Sequence, residues 1–207
     1  MPRKVICSNS RRSEELACYG QSTLAYGAAH SVQWSPAAQA RLRLLHRKVV
    51  VEFSDGSKPA LLSDVFDWHS WWLSAFSPWA GDIRPSLVHG IGDKDEVLGL
   101  LKRLEDEVIQ PCTQVNNDAA ERPEQVLERM ATVYCEFVGI SPFQAGNEEM
   151  AELIMLLVCI RANWMKEVKL AQLMTMPEYK GALTKGFEDK NYKPMALLMG
   201  QCLIQVD

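Results

Sequence analysis

The histidines and cysteines are the first side chains to weigh, because they carry much of the metal-binding and nucleophilic chemistry of proteins. The chain has four histidines and six cysteines, and they are scattered along it. The sequence contains no CxxC pair, no HExxH, no GxSxG, no P-loop and no Rossmann fingerprint. We therefore expect no metal site and exclude the common metalloenzymes, serine hydrolases and P-loop enzymes. Cysteines within apolar helical patterns favour a reducing compartment.

The densest group of polar and glycine residues is the segment SPFQAGNEEMAE, residues 141–152. Its Gly146 and Asn147 precede two glutamates, which the pattern places in the first turn of a helix, where carboxylates stabilise the helix dipole. A serine hydroxyl has no protonation change near pH 7, so Ser141 is not a general base. The segment therefore has the shape of a loop-to-helix junction without an evident catalytic group.

Two predicted helices flank this junction and must position it. Pro123 suits the first position of the upstream helix, which ends near Gly139. The downstream helix, 148–164, is apolar around most of its circumference, which is typical of a central helix. Further helices are predicted from Pro36 through Leu45 and at Ser63–Ser77, Lys94–Ile109, Pro177–Glu188 and Tyr192–Gln205. The β-branched run Val49–Phe53 predicts a short strand.

Length and charge indicate one domain with few classes of partner. The 207 residues predict a loosely ordered arm at 1–34 and a helical domain at 35–207. A net charge of -4 argues against nucleic-acid binding. Arg161 interrupts the longest apolar run, so no membrane span is expected. The basic, polar start has no apolar region typical of a secretory signal.

Aromatic residues at helical spacing mark a core helix. Trp68, Trp72, Phe76 and Trp79 follow one another at i, i+4, i+8 and i+11, which places them on one face. Trp71 lies off the centre of that stripe. We therefore predict that the stripe packs in the core and that Trp71 is left for a partner.

The order of these segments resembles the Fic (Fido-fold) family, whose motif reads HPF, any residue, Asp or Glu, GNGR, two residues, Arg. The chain has SPFQAGNEEMAE at that place, DVFDW at 64–68, and a Gly81-Asp82-Ile83-Arg84 segment like the one that leads into the family's flap. The resemblance covers about residues 35–205. It implies a mainly α, Fic/Fido-like helical domain with a small β-hairpin flap around Gly81–Gly90.

The resemblance also implies a chemistry and a docking surface. In the family, the junction binds the phosphates of ATP or a similar donor, the histidine activates a target hydroxyl and the acidic residue holds a divalent metal. The usual result is transfer of AMP to a protein Ser, Thr or Tyr that the flap positions. On this basis the candidates for contact with a partner are Arg84, His89, Trp71 and Trp79.

The motif departs from the family at each catalytic position. Ser141 replaces the histidine, and Ala145 offers no oxygen ligand where a hard cation needs one. Glu148 replaces the glycine next to the phosphates, and Glu149 and Glu152 replace the two arginines. Each reversed charge pair is worth up to about 4 kcal/mol at ~4 Å and an effective dielectric near 20. The residues that shape the loop are retained, namely Pro142, Phe143, Gly146 and Asn147.

Three hypotheses follow. The first is a catalytically inactive Fic-fold protein, a pseudo-AMP-transferase that needs no cofactor and works as an effector or regulator by binding a protein at the flap. It would be cytoplasmic, or delivered into a host cell. The alternative is a diverged Fido transferase that modifies a protein hydroxyl with a non-ATP nucleotide or nucleotide-sugar donor. In the third hypothesis the Gly-Asn loop is a plain connection between helices, unrelated to the family. The sequence leaves the partner and the oligomeric state open.

Overall fold

The computed structural model describes residues 34–54, 58–85, 94–113, 122–164 and 166–205. Its helices are α1 (Pro36–Phe53), α2 (Leu62–Leu73), α3 (Lys94–Leu104), α4 (Gln110–Thr113), α5 (Pro123–Ile140), α6 (Asn147–Arg161), α7 (Leu170–Leu173), α8 (Tyr179–Asp189) and α9 (Lys193–Gln201). A π-helical turn, Glu105–Ile109, joins α3 to α4. The strands are β1 (Lys166–Val168) and β2 (Leu203–Gln205). The domain is therefore mainly α, as the sequence predicts.

The centre of the domain is the pair α5 and α6. Pro123 occupies the first turn of α5, as predicted, and the helix continues to Ile140. Helices α8 and α9 pack on α5, α1 packs on α6, and α2 contacts both α1 and α6. The large apolar side chains of α6 that are fully buried are Met150, Leu153, Ile154, Leu157 and Val158. Each contributes roughly 1.5–3 kcal/mol of burial, so packing, more than helix propensity, holds this pair in place.

Helix α1 is longer than predicted, and the predicted strand Val49–Phe53 is wrong. Ser35 caps the helix with its hydroxyl, and the last turns include the whole β-branched run. Leu45, Val49 and Phe53 recur at four-residue spacing and are fully buried. Helical periodicity against a core therefore outweighs the strand preference of three consecutive valines.

The C-terminal helix is shorter than predicted. It ends at Gln201, and the three residues of β2 pair antiparallel with β1, with Lys166 opposite Gln205 and Val168 opposite Leu203. The prediction of one helix over Tyr192–Gln205 is therefore wrong at its end. This pairing ties the end of the chain to the segment that follows α6.

The predicted β-hairpin flap is not seen in the described residues. Residues 81–85 contain no strand, and 86–93 lie outside the described residues. The predicted contact residue His89 is among the latter, and of the predicted arm at 1–34 only Trp34 is described. The flap itself stays a prediction. No helix among the described residues is both long and apolar enough to cross a membrane.

Candidate functional site

Two left-handed residues shape the junction between α5 and α6. Ser141 ends α5 with φ 47°, and Gly146 precedes α6 with φ 83°. A side chain at Gly146 would meet the Trp72 ring, because an ideal Cβ there lies 2.8 Å from the indole. Position 146 therefore requires glycine for two reasons: its left-handed backbone conformation and the close approach of α2.

Asn147 pins the loop from the first residue of α6. Its Oδ1 accepts a hydrogen bond from the Phe143 backbone N–H at 2.9 Å, and its Nδ2 donates to the Phe143 carbonyl at 3.0 Å. The amide thus satisfies both backbone groups of a residue that is itself buried. This reciprocal pair is the physical reason why an asparagine follows the glycine.

His69 of α2 joins the loop to the segment after α2. Its Nδ1 accepts from the Gly81 backbone N–H at 2.8 Å, so Nε2 carries the proton and donates to the Ala145 carbonyl at 3.0 Å. The ring also stacks on Phe143, with centroids 3.8 Å apart. Burial lowers the pKa of His69 to about 4, so the ring is neutral at pH 7. With both nitrogens engaged, His69 positions the loop instead of acting as a base.

Arg84 caps the C-terminal end of α5. Its Nε donates to the Ser141 carbonyl at 2.6 Å and one terminal nitrogen donates to the Ile140 carbonyl at 3.3 Å, while its own backbone N–H donates to Pro142 at 2.8 Å. The side chain is buried, and its positive charge lies at the negative end of the helix dipole. Arg84 therefore fixes the loop, and contact between this residue and a partner stays a prediction.

The other predicted contact residues lie on different surfaces. Trp79 is half-buried and its ring centroid lies 5.8 Å from that of His69, so it extends the aromatic stack behind the loop. Trp71 is 37% exposed and lies on the outer side of α2. The stripe itself is buried at Trp68 and Trp72, whereas Phe76 is half-buried after α2 has ended.

The three glutamates occupy the start of α6. Glu148 and Glu149 form its first turn, and the Trp34 indole N–H donates to the Glu149 carboxylate. Trp34 is held there by edge packing on Trp72, with ring centroids 4.6 Å apart. One turn further on, a Glu152 oxygen lies 3.8 Å from His46 Nε2 of α1. The protein's own carboxylates thus occupy the N-terminal end of the helix.

Burial raises the pKa of the first two of these carboxylates. Burial raises the pKa of Glu149 to about 7, and the charge of Glu148 acts in the same direction. Burial also raises the pKa of Glu148. Beneath them the Tyr134 hydroxyl is 2.9 Å from that of Tyr179, and burial raises its pKa well above its ordinary value, so it stays protonated.

We expect Glu149→Gln to remove a pH dependence of stability. A carboxyl with a raised pKa binds more protons in the folded state than in the unfolded one, so wild-type stability falls as the pH rises from about 4.5 to about 7. The full loss is about 3 kcal/mol. The glutamine oxygen still accepts from Trp34, so the fold is kept. Urea unfolding of wild type and variant at several pH values measures the difference.

The exposed Glu128 of α5 supplies the matched control. Glu128→Gln should leave the pH profile parallel to that of the wild type. A Glu149→Gln profile that also stays parallel to that of the wild type would contradict the raised pKa of Glu149.

Ser141 and Ala145 make hydrogen bonds that stabilise the loop. The Ser141 hydroxyl donates to the Val138 carbonyl of the preceding turn, and Ala145 contributes only its backbone carbonyl, to His69. Among the described residues no group of three or more His, Cys, Asp or Glu side chains is placed to hold a metal ion. The sequence analysis missed His69 and Trp34, whose partners lie 76 and 115 residues away along the chain.

Solved structures whose fold is similar to that of this chain include Fic domains. The BepC protein of Bartonella tribocorum, a VirB-translocated effector solved with AMPPNP, aligns over 91% of this chain and 95% of its own, with 16% identity and a TM-score of 0.56. The N-terminal Fic domain of a Bartonella quintana effector covers 90% of both chains, with 15% identity and a TM-score of 0.56. Fic-1 from C. elegans aligns over 93% of this chain and 61% of its own, with 21% identity and a TM-score of 0.56. No protein-family model and no curated protein matches the sequence.

Proposed function

The chain has the Fic fold, and we propose that it is a catalytically inactive member of that fold, a pseudo-AMP-transferase that acts by binding another protein. The observation that supports this most is the Glu149 carboxylate, held by the Trp34 indole in the first turn of α6. That turn is where the family takes the donor phosphates. A donor would have to approach Glu148 and Glu149 in place of a glycine and an arginine.

The magnitudes favour exclusion of nucleotide. Two reversed charge pairs cost up to about 4 kcal/mol each at ~4 Å and an effective dielectric near 20. Backbone N–H groups at a helix start recover on the order of 1 kcal/mol. The BepC structure holds AMPPNP, whereas we infer that this chain binds neither AMPPNP nor ATP, and that it needs no metal or other cofactor.

The retained geometry supports a binding role. Asn147, His69 and Arg84 hold the loop through hydrogen bonds of 2.6–3.3 Å although no catalytic histidine is present for the loop to position. We propose that the fold is kept as a platform for a protein partner near the flap, as an effector or regulator. The Bartonella neighbours are translocated effectors, and this chain would act in the cytoplasm or in a host cell after delivery.

Calorimetric titration with ATP and Mg²⁺, followed by AMPPNP and nucleotide sugars, tests the proposal. It is run at pH 6 and pH 8 because Glu149, with a pKa of about 7, repels a phosphate less when protonated. We expect no binding heat at either pH with up to about 1 mM ligand. A Kd of about 1 mM corresponds to a binding free energy of only about -4 kcal/mol. Binding of ATP or of a nucleotide sugar in the micromolar range would overturn the proposal and favour the alternative, a diverged transferase.

A variant with the family motif restored is the positive control. It combines Ser141→His, Ala145→Asp, Glu148→Gly, Glu149→Arg and Glu152→Arg. If the substitutions account for the inactivity, this variant gains micromolar ATP binding while the wild type shows none. A folded restored variant that also fails to bind would show that residues outside the motif exclude the nucleotide. Circular dichroism and the thermal midpoint establish that it is folded.

A further inference from the structure

The outward face of α1 combines cations with exposed aliphatic side chains. Its exposed residues include Arg43, Leu44, Arg47, Lys48, Val50 and Val51, which we call the basic-aliphatic face. Leu44 is 54% exposed, Val50 40% and Val51 77%. These are three of the large apolar side chains that the described part of the chain leaves exposed, and they share one helix. Such a concentration is typical of an interaction surface.

The face carries one sign of charge, although the whole chain has a net charge of -4. The only carboxylate of α1, Glu52, is half-buried and pairs with Lys58, and His46 is turned towards Glu152 of α6. On the neighbouring helix α2, the acidic residue closest to Trp71 along the chain is Asp67, one helical turn before it. The exposed charges of the face itself, Arg43, Arg47 and Lys48, are therefore all positive, which complements an anionic surface.

Trp71 borders the face and lies against two cations of α1, of which Lys48 belongs to the face. The Arg41 guanidinium lies 4.9 Å from the indole centroid and the Lys48 ammonium 5.9 Å from it. Arg41 also donates to the Trp71 carbonyl. A half-exposed indole between cations and aliphatic groups is suited to a boundary between water and hydrocarbon.

We propose that the basic-aliphatic face docks on an anionic phospholipid surface. Its ridge of Leu44 and Val51 is flanked by Arg47 on one side and Lys48 on the other, so the aliphatic groups enter the headgroup layer while the cations meet phosphates. The outer side of a single helix offers no groove, so it does not suit a peptide that must lie in one. This surface lies on α1, apart from the loop between α5 and α6, so the proposal goes beyond the proposed function.

Vesicle co-sedimentation of the full chain tests this. The probes are vesicles of phosphatidylcholine alone and of phosphatidylcholine with about 30% phosphatidylserine. We expect binding to the anionic vesicles only, weakened by salt. Arg43→Glu with Arg47→Glu should lower the partition coefficient more than about tenfold, because each cation near such a surface contributes about fivefold. Leu44→Ser with Val51→Ser should lower it by about tenfold through loss of buried apolar area.

The control is Lys185→Glu with Lys193→Glu, which makes the same change of charge at exposed positions of α8 and α9. It should bind as the wild type does. The proposal is overturned if the wild type fails to bind anionic vesicles, if it binds neutral ones equally, or if the Arg43 and Arg47 variant matches the control. It is also overturned if poly-glutamate binds this face while vesicles do not, which would indicate an acidic protein partner.

Discussion

Replacing His69 by alanine is expected to lower the free energy of unfolding by about 3–5 kcal/mol. The change leaves the Gly81 N–H and the Ala145 carbonyl without their partner, at about 1–3 kcal/mol each for buried groups, and opens a cavity beside Phe143. Denaturant unfolding monitored by tryptophan fluorescence measures the loss. The loop between α5 and α6 should also become more mobile, because His69 links it to α2.

The matched control for this prediction is His46→Ala. His46 is half-buried, and its Nε2 lies 3.8 Å from Glu152, so its loss should cost less than about 1 kcal/mol. Equal losses in the two variants would contradict the role assigned to the His69 hydrogen bonds.

The His69 ring also predicts a loss of stability in acid. Its folded pKa of about 4 lies below the ordinary 6.5, so the unfolded chain binds more protons in between and stability falls as the pH drops from about 6.5 to about 4. The full effect is about 3 kcal/mol. Over part of this window Glu149 acts in the opposite direction, so the difference between His69→Gln and wild type is the quantity to plot. A difference that does not vary with pH would refute a neutral, buried ring.

Replacing Gly146 by alanine is expected to destabilise the protein by about 2–4 kcal/mol. Left-handed backbone costs an alanine roughly 1–2 kcal/mol, and the new Cβ would lie 2.8 Å from the Trp72 ring. In a Trp72→Phe background part of this cost should disappear, because the smaller ring leaves room. A double-mutant cycle by urea unfolding separates the steric part from the backbone part.

Gly181→Ala serves as the reference substitution. A Cβ there meets no atom within 4 Å and the residue lies within α8, so alanine should stabilise the protein by up to about 1 kcal/mol. If Gly146→Ala is as harmless as Gly181→Ala, the close approach of α2 to the loop is not required.

The helices were accessible to sequence analysis because each has a strong local signal. Pro123 and Ser35 mark helix starts, and the α6 segment is apolar enough to be central wherever it packs. The prediction failed where two local signals compete. At Val49–Phe53 the residue preference favours a strand, while the spacing from Leu45 favours a helix, and only burial against the core decides between them.

The loop and the start of α6 were predicted at the right place along the chain, but the side chains that hold the loop were not. The sequence pattern predicted a loop followed by a helix with Glu148 and Glu149 in its first turn, because loop and helix start are adjacent in sequence. His69, by contrast, is a single histidine inside an aromatic stripe, a pattern that core packing alone explains. Arg84 was placed with the flap, yet its guanidinium reaches 57 residues along the chain to Ser141. Contacts of that separation depend on the tertiary arrangement and leave no periodic trace in the sequence.

The bonds that hold the loop have a consequence for the order of folding. The helix pair α5 and α6 is local in sequence and can associate early, whereas the bonds from His69 and Trp34 close spans of 76 and 115 residues. Closing a long span of chain costs conformational entropy, and the contacts offset this cost only once both ends are packed. We therefore expect the α5–α6 hairpin to form before its connecting loop has a defined shape. The loop acquires that shape as one of the last steps, when α1 and α2 dock.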